Sequence, residues 1–183
     1  MRKEIRFSGF GGQGIILSGF IYGKAAAIFG GLGATMTQSY GPEARGGAAT
    51  SDVVIEDGPV SYPQATNPEV LIIMSRDAYT THEKFIRKGA TVFYDQDLVQ
   101  IDQGRGAHFI PVPCMKIAEG LGKKIVANIV MLGGLAAGCD IVPKEALKQA
   151  VLSSVPPATK ELNEKAFEAG YAHVKQASGK GRG

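Results

Sequence analysis

Gly9-Phe10-Gly11-Gly12-Gln13-Gly14 stands between a stretch that alternates and one that repeats like a helix, and this junction decides the fold. Upstream, residues 4–10 alternate around Ile5 and Phe7, the period of a short strand. Downstream, from Gly14 to Phe29, the apolar residues Ile16, Phe20 and Ala27 fall at broadly helical spacing, and Gly30-Gly31 supplies a stop. A glycine turn joining a first strand to a first helix brings backbone N–H groups close to a pyrophosphate, and the helix dipole favours the negative charge. Gly9, Gly11 and Gly14 fit that G-x-G-x-x-G pattern. The dinucleotide form also needs an acidic residue about 20 positions further on for the ribose hydroxyls. Residues 33–40 instead read Gly-Ala-Thr-Met-Thr-Gln-Ser-Tyr. Ordinary NAD recognition is therefore disfavoured. Other adenine-nucleotide ligands such as coenzyme A stay open, and so does a turn whose glycines merely permit close packing.

Working outward, Gly19 and Gly23 lie one turn apart inside the first helix. An interior glycine costs about 1 kcal/mol against alanine, so two on one face point to a helix pressed tightly on a strand or on another subunit. Residues 33–37 form a second strand candidate and residues 48–55 a third, separated by a glycine- and proline-containing loop at 38–47. Residues 70–74 are continuously apolar, as in a strand covered on both faces, followed by a helix over 78–88 and a strand over 90–94. One more strand fits 108–113. Residues 115–121, 125–138, 143–153 and 158–176 all favour helix, with Pro156-Pro157 dividing the last two. This rhythm predicts an α/β fold: a Rossmann-like, mainly parallel sheet with helices on both faces and a helical C-terminal part.

At 183 residues and 44% hydrophobic, the chain holds one core, so residues 1–183 are read as a single domain with residues 175–183 as a frayed tail. A formal charge of +3 forces no nucleic-acid-binding face. Charges at Glu4 and Arg6 interrupt the N-terminus too early for a signal peptide, and the apolar stretch from Ile125 to Cys139 is shorter than the roughly 20 residues of a membrane span. The expectation is a cytoplasmic protein without a membrane segment, in which residues 125–139 form a buried helix.

Two cysteines, Cys114 and Cys139, exclude a disulfide framework and fall short of the four thiolates of a typical iron–sulfur cluster. His82, His108 and His173 are scattered, so no metal site is expected. In the loop Ser39-Tyr40-Gly41-Pro42-Glu43-Ala44-Arg45-Gly46-Gly47, the planar fork of Arg45 suits a carboxylate or phosphate, and Glu43 is near enough in sequence to orient it. A ligand contact, a subunit contact and a surface salt bridge all remain open there. Cys114, after Pro111-Val112-Pro113, is read as buried rather than reactive. Asn128, at the head of an apolar helix, is read as a cap in preference to a ligand contact.

Taken together, Gly9 to Gly14, the Ser39 to Gly47 run and Asn128-Ile129-Val130-Met131-Leu132-Gly133 resemble the gamma subunit of 2-oxoacid:ferredoxin oxidoreductases, the pyruvate, 2-oxoglutarate or 2-oxoisovalerate type. The likeness covers nearly the whole chain in order, and Ser-Tyr-Gly-Pro-Glu-x-Arg-Gly-Gly is its most specific part. It implies oxidative decarboxylation of a 2-oxo acid with coenzyme A, electrons passing to ferredoxin or a related acceptor, in a complex with alpha, beta and ferredoxin-like subunits. Thiamine diphosphate, magnesium and the iron–sulfur (4Fe-4S) clusters are then expected on those partners. Asp57-Gly58 agrees, since it lacks the preceding glycine of a Gly-Asp-Gly diphosphate-metal site. By the same resemblance Gly9, Gly11, Gly12, Gln13, Gly14, Ser39, Tyr40, Glu43, Arg45, Gly46 and Asn128 are the candidates for contact with coenzyme A or a subunit seam. No catalytic residue and no metal ligand is expected on this chain. Glu43-Ala44-Arg45 inclines the substrate towards 2-oxoglutarate, with pyruvate, branched-chain and aryl oxo acids open. The alternatives are a free-standing Rossmann enzyme using a nucleotide cofactor, and an interaction module with an unused nucleotide fold.

Overall fold

In the computed structural model, which describes residues 1–40, 47–102 and 106–180, strand β1 (Arg2–Phe10) runs into the glycine turn and helix α1 (Ile15–Lys24) leaves it. The helix widens into one π-helical stretch, Ala25–Phe29, before β2 (Gly33–Tyr40) and β3 (Ala48–Glu56). There follow β4 (Val70–Ile73), α2 (Arg76–His82), β5 (Thr91–Asp95), β6 (His108–Val112) and α3 (Cys114–Gly120). The C-terminal part is α4 (Ala127–Gly138), α5 (Lys144–Leu152) and α6 (Lys160–Lys180).

The strands form one six-stranded sheet in the order β2-β3-β1-β4-β5-β6. The pairs β1/β4, β4/β5 and β5/β6 are parallel, while β1/β3 and β2/β3 are antiparallel. The expected α/β architecture is present, with an antiparallel margin that local alternation does not specify. β2 runs on through Gln38, Ser39 and Tyr40, beyond its expected end, because these residues pair with Ser51, Thr50 and Ala49 of β3.

Alternate residues of β4 separate two cores, which places helices on both faces. Val70 and Ile72 join Ile5, Phe7 and Phe93 beneath α1 and the C-terminal helices, where Tyr22, Val130 and Phe167 are buried. Leu71 and Ile73 join Val92 on the other face, against Ala78 and Tyr79 of α2. Ser75 Oγ accepts the Ala78 N–H at 3.2 Å and starts α2, which passes at Glu83–Phe85 into a 3-10 turn and ends earlier than the expected 88. α4 is buried over Ala127 to Leu135, as its uniform apolarity predicts. It crosses α6 at backbone contact: a Cβ on Gly133 would overlap the Phe167 carbonyl, and one on Gly170 the Val130 carbonyl. α6 runs through Lys180. Among the described residues no helix is long and apolar enough to cross a membrane.

α1 lies on β3 at the first of its two glycines. A Cβ on Gly19 would collide with the Ser51 hydroxyl, whereas one on Gly23 would meet Val53 Cγ1 at an ordinary 3.7 Å. This packing fixes the start of α1 over the end of β1.

Candidate functional site

The turn is braced from three directions. Gln13 closes it from within: its Oε1 accepts the Phe10 N–H at 2.7 Å and its Nε2 donates to the Met74 carbonyl at 3.0 Å, tying the turn to the end of β4. Gly9 makes room for this brace, since a Cβ there would lie 2.5 Å from Gln13 Oε1 and 2.6 Å from Ile15 Cδ1. The Gly11 N–H donates to the Gly47 carbonyl at 2.9 Å, fastening the turn to the segment before β3. The Gly14 carbonyl accepts from Ser18 N at 2.8 Å, Ser18 Oγ at 2.9 Å and Asn128 Nδ2 at 3.4 Å.

Gly12 and Gly14 have φ of 93° and 73°, the left-handed region that glycine occupies without strain. A Cβ on Gly14 would also run into the Asn128 amide, while open space surrounds Gly12. Gly14 is the residue from which α1 starts, so the first N–H groups of that helix face outward without intrahelical partners.

Asn128 does not cap α4, and the expectation of a cap is corrected. The capping position is Val126, which supplies no side-chain bond, and Asn128 sits inside the first turn with 4% exposure. Its amide crosses to the glycine turn instead, a contact between residues 114 apart in sequence.

Between the turn, the start of α4 and the start of α6 lies a cleft of about 720 Å³. Gly11, Gly12 and Gly14 form one wall, and Ile16, Val126 and Leu162 contribute to its largely apolar lining. Tyr40 and Ile125 stand at its edge with 65% and 81% exposure. Lys123 is the cationic side chain among the described lining residues, and Asn128 and Asn163 supply buried amides. The same described lining contains no carboxylate, imidazole or thiol; its amine and hydroxyl groups are those of Lys123, Tyr40 and Thr159.

The structure thus brings Gly11, Gly12, Gly14, Tyr40 and Asn128 together. Gly9 and Gln13 support the turn from behind. Ser39 lies at a separate hollow of about 240 Å³ with Thr50 and Asp52. Glu43, Arg45 and Gly46 lie outside the described residues, although Tyr40 lines the cleft on one side of them and Gly47 bonds the turn on the other. Lys123, Thr159 and Asn163 also line the cleft and were not singled out by sequence reasoning. The Pro156-Pro157 break, which precedes the 3-10 turn Pro157–Thr159 before α6, is the one sequence signal near Thr159 and Asn163, and Lys123 has none.

Three titratable groups outside the cleft, His82, Cys114 and Asp95, are buried. His82 Nε2 lies 3.1 Å from Thr50 Oγ1, and burial, with the Arg6 charge adding to it, pushes the imidazole down to about 4. It is therefore neutral near pH 7 and packs beside the sheet face opposite the cleft. Burial raises the Cys114 thiol well above its ordinary range, which makes it inert. Buried Asp95 accepts from Asp97 N at 3.1 Å and Met115 N at 3.0 Å, fastening the start of α3. Among the described residues, no three His, Cys, Asp or Glu side chains converge as metal ligands would.

The family model for pyruvate ferredoxin/flavodoxin oxidoreductase matches residues 4–173. The chain is 48% identical over 179 residues to 2-oxoglutarate synthase subunit KorC of Methanocaldococcus jannaschii, covering 96% of each chain. It superposes on the gamma subunit of a keto/oxoacid ferredoxin oxidoreductase from Geobacter sulfurreducens with a TM-score of 0.84 and 40% identity, covering 94% of this chain and 98% of that one. It also superposes on 2-oxoglutarate:ferredoxin oxidoreductase from Magnetococcus marinus, solved with 2-oxoglutarate, coenzyme A and succinyl-CoA bound, with a TM-score of 0.86 and 25% identity. That match covers 96% of this chain and 31% of the other.

Proposed function

The chain belongs to the pyruvate ferredoxin/flavodoxin oxidoreductase family, and on that premise we propose that it is the gamma subunit of a 2-oxoglutarate:ferredoxin oxidoreductase, seating coenzyme A for chemistry completed by other subunits. The overall reaction cleaves carbon dioxide from the 2-oxo acid, passes an electron pair to ferredoxin and joins the remaining acyl group to the coenzyme A thiol. The observation that carries the reading is the glycine turn opening on a largely apolar 720 Å³ cleft whose described lining holds no carboxylate, imidazole or thiol. Such a cleft suits the seating of a substrate whose reaction is completed on another chain.

Within it, the N–H groups at the start of α1 and the Lys123 ammonium favour phosphate oxygens. Gly12 leaves the backbone open to close approach. Asn128 holds the turn in register with α4. The outward side chains of Leu17, Phe20 and Ile28, exposed by 40%, 50% and 69%, give the α1 side an apolar face suited to a subunit seam. Thiamine diphosphate, magnesium and iron–sulfur clusters belong to the partner subunits in this reading. Two cysteines, one of them fully buried, do not supply the thiolates of a cluster. Two relatives named for 2-oxoglutarate support that substrate. A free-standing nicotinamide enzyme is disfavoured, because the strand beside β1 on the side away from β4 is the antiparallel β3, not a parallel strand ending in a ribose-binding acid.

Purification of the native assembly followed by acyl-coenzyme A assays on a panel of 2-oxo acids tests this. Co-elution with thiamine- and cluster-bearing subunits, and the highest kcat/KM with 2-oxoglutarate, is the expected result. A chain that elutes alone, or a complex that prefers pyruvate, contradicts it.

A further inference from the structure

We propose that Asn128 and Asn163 form a pair of hydrogen-bond acceptors that grips the amide-bearing pantetheine arm of coenzyme A, so that their part of the cleft wall reads the arm and not the nucleotide. The inference rests on the coenzyme A reading above. Both asparagines line the cleft, and they are buried to 4% and 6% exposure. In each, the amide nitrogen is already engaged by a backbone carbonyl: Asn128 Nδ2 donates to Gly14 O at 3.4 Å, and Asn163 Nδ2 to Thr159 O at 2.8 Å. A carbonyl only accepts, so these bonds fix which end of each amide is nitrogen. The two Oδ1 atoms are left as acceptors, with no hydrogen-bond donor among the described residues.

An amide oxygen that faces the cleft loses its water when a ligand fills the space, and this is costly unless the ligand brings a donor. The ligand that suits this wall carries N–H groups along an otherwise apolar chain, which is the chemistry of the pantetheine arm with its two secondary amides. Ile16, Val155 and Leu162 supply the apolar surface for its methylene and methyl groups. Phosphate oxygens are themselves acceptors and gain nothing from the asparagine oxygens. They are served by Lys123 and the N-terminal end of α1. The cleft is thereby divided by hydrogen-bond polarity, with donors for the phosphates and acceptors for the arm. The same geometry makes Asn128 a positioning residue for the glycine turn as well as a ligand contact.

The test is calorimetric titration of the assembled complex with three probes: coenzyme A, pantetheine, and the adenosine bisphosphate half of the molecule. Asn163→Leu keeps the number and branching of side-chain heavy atoms and removes the acceptor, along with the Nδ2 bond to the Thr159 carbonyl. It is expected to weaken coenzyme A and pantetheine about tenfold and leave the nucleotide half unchanged. A ligand-side experiment needs no variant: coenzyme A methylated on both amide nitrogens should bind the wild-type complex at least about tenfold more weakly than coenzyme A itself. The inference is overturned if the methylated ligand binds as tightly, or if Asn163→Leu weakens the nucleotide half and spares pantetheine. In that event the coenzyme A reading survives as long as coenzyme A itself binds. Failure of the wild-type complex to bind coenzyme A at all removes both.

Discussion

Replacing Gly14 with alanine introduces two separable costs, and the structure says how to tell them apart. The backbone at φ 73° holds an alanine in the left-handed region, at about 1–2 kcal/mol. The new Cβ would also lie 2.7 Å from Asn128 Cγ, so the amide must leave. Leaving forfeits the Nδ2 bond to the Gly14 carbonyl, worth about 1 kcal/mol, and displaces a buried side chain at about 1–2 kcal/mol more. The total is about 3–5 kcal/mol, which for a chain of 183 residues lowers Tm by roughly 10 °C. In an Asn128→Ala background there is no amide to displace, and only the backbone strain of about 1–2 kcal/mol remains. A double-mutant cycle by urea unfolding should therefore give a coupling of about 2–3 kcal/mol between these two positions. Equal costs of Gly14→Ala in both backgrounds would refute the contact between the turn and α4 on which the site depends.

Gly23→Ala should raise stability by about 0.5–1 kcal/mol, because its Cβ has ordinary room inside a helix, while Gly19→Ala should lower it through collision with Ser51; thermal unfolding distinguishes the pair. His82 has its folded pKa depressed from 6.5 to about 4, so its contribution is fully present above pH 6.5 and is lost as pH falls through that window towards 4. The loss is about 3 kcal/mol, and His82→Gln should flatten the stability-against-pH curve between those limits, with an unchanged slope counting against the assignment. Gly12→Val strains a backbone at φ 93° without any overlap. It should raise the KM for coenzyme A with kcat little altered, and an unchanged KM in a correctly assembled complex removes the turn from the mechanism.

Local pattern carried the junction at Gly9 to Gly14, the apolar strand at residues 70–73 and the buried α4, because strand period, glycine and uniform apolarity are written in adjacent residues. It did not carry the antiparallel direction of β3 or the extension of β2 to Tyr40, which depend on pairing between Ser39 and Thr50 across the intervening loop. Asn128 illustrates the same limit at the site. Read locally, an asparagine at the head of a helix caps it, but here its partner lies 114 residues away, and only the packing of α4 against the turn reveals it. Gln13 was legible as part of a motif, whereas its brace to Met74 required β4 to be placed beside β1. Asn163 and Lys123 had no motif around them; they join the site because α6 and the segment before α4 converge on the cleft.

The central claim is that this subunit seats coenzyme A against its glycine turn. Photocross-linking the assembled complex with a coenzyme A that carries a photoreactive group on its pantetheine arm, followed by peptide mapping, tests it most directly. The account predicts labelled peptides from this chain containing residues 10–17, 123–129 or 155–163, competed away by unmodified coenzyme A. Competable labelling confined to the other subunits would contradict it.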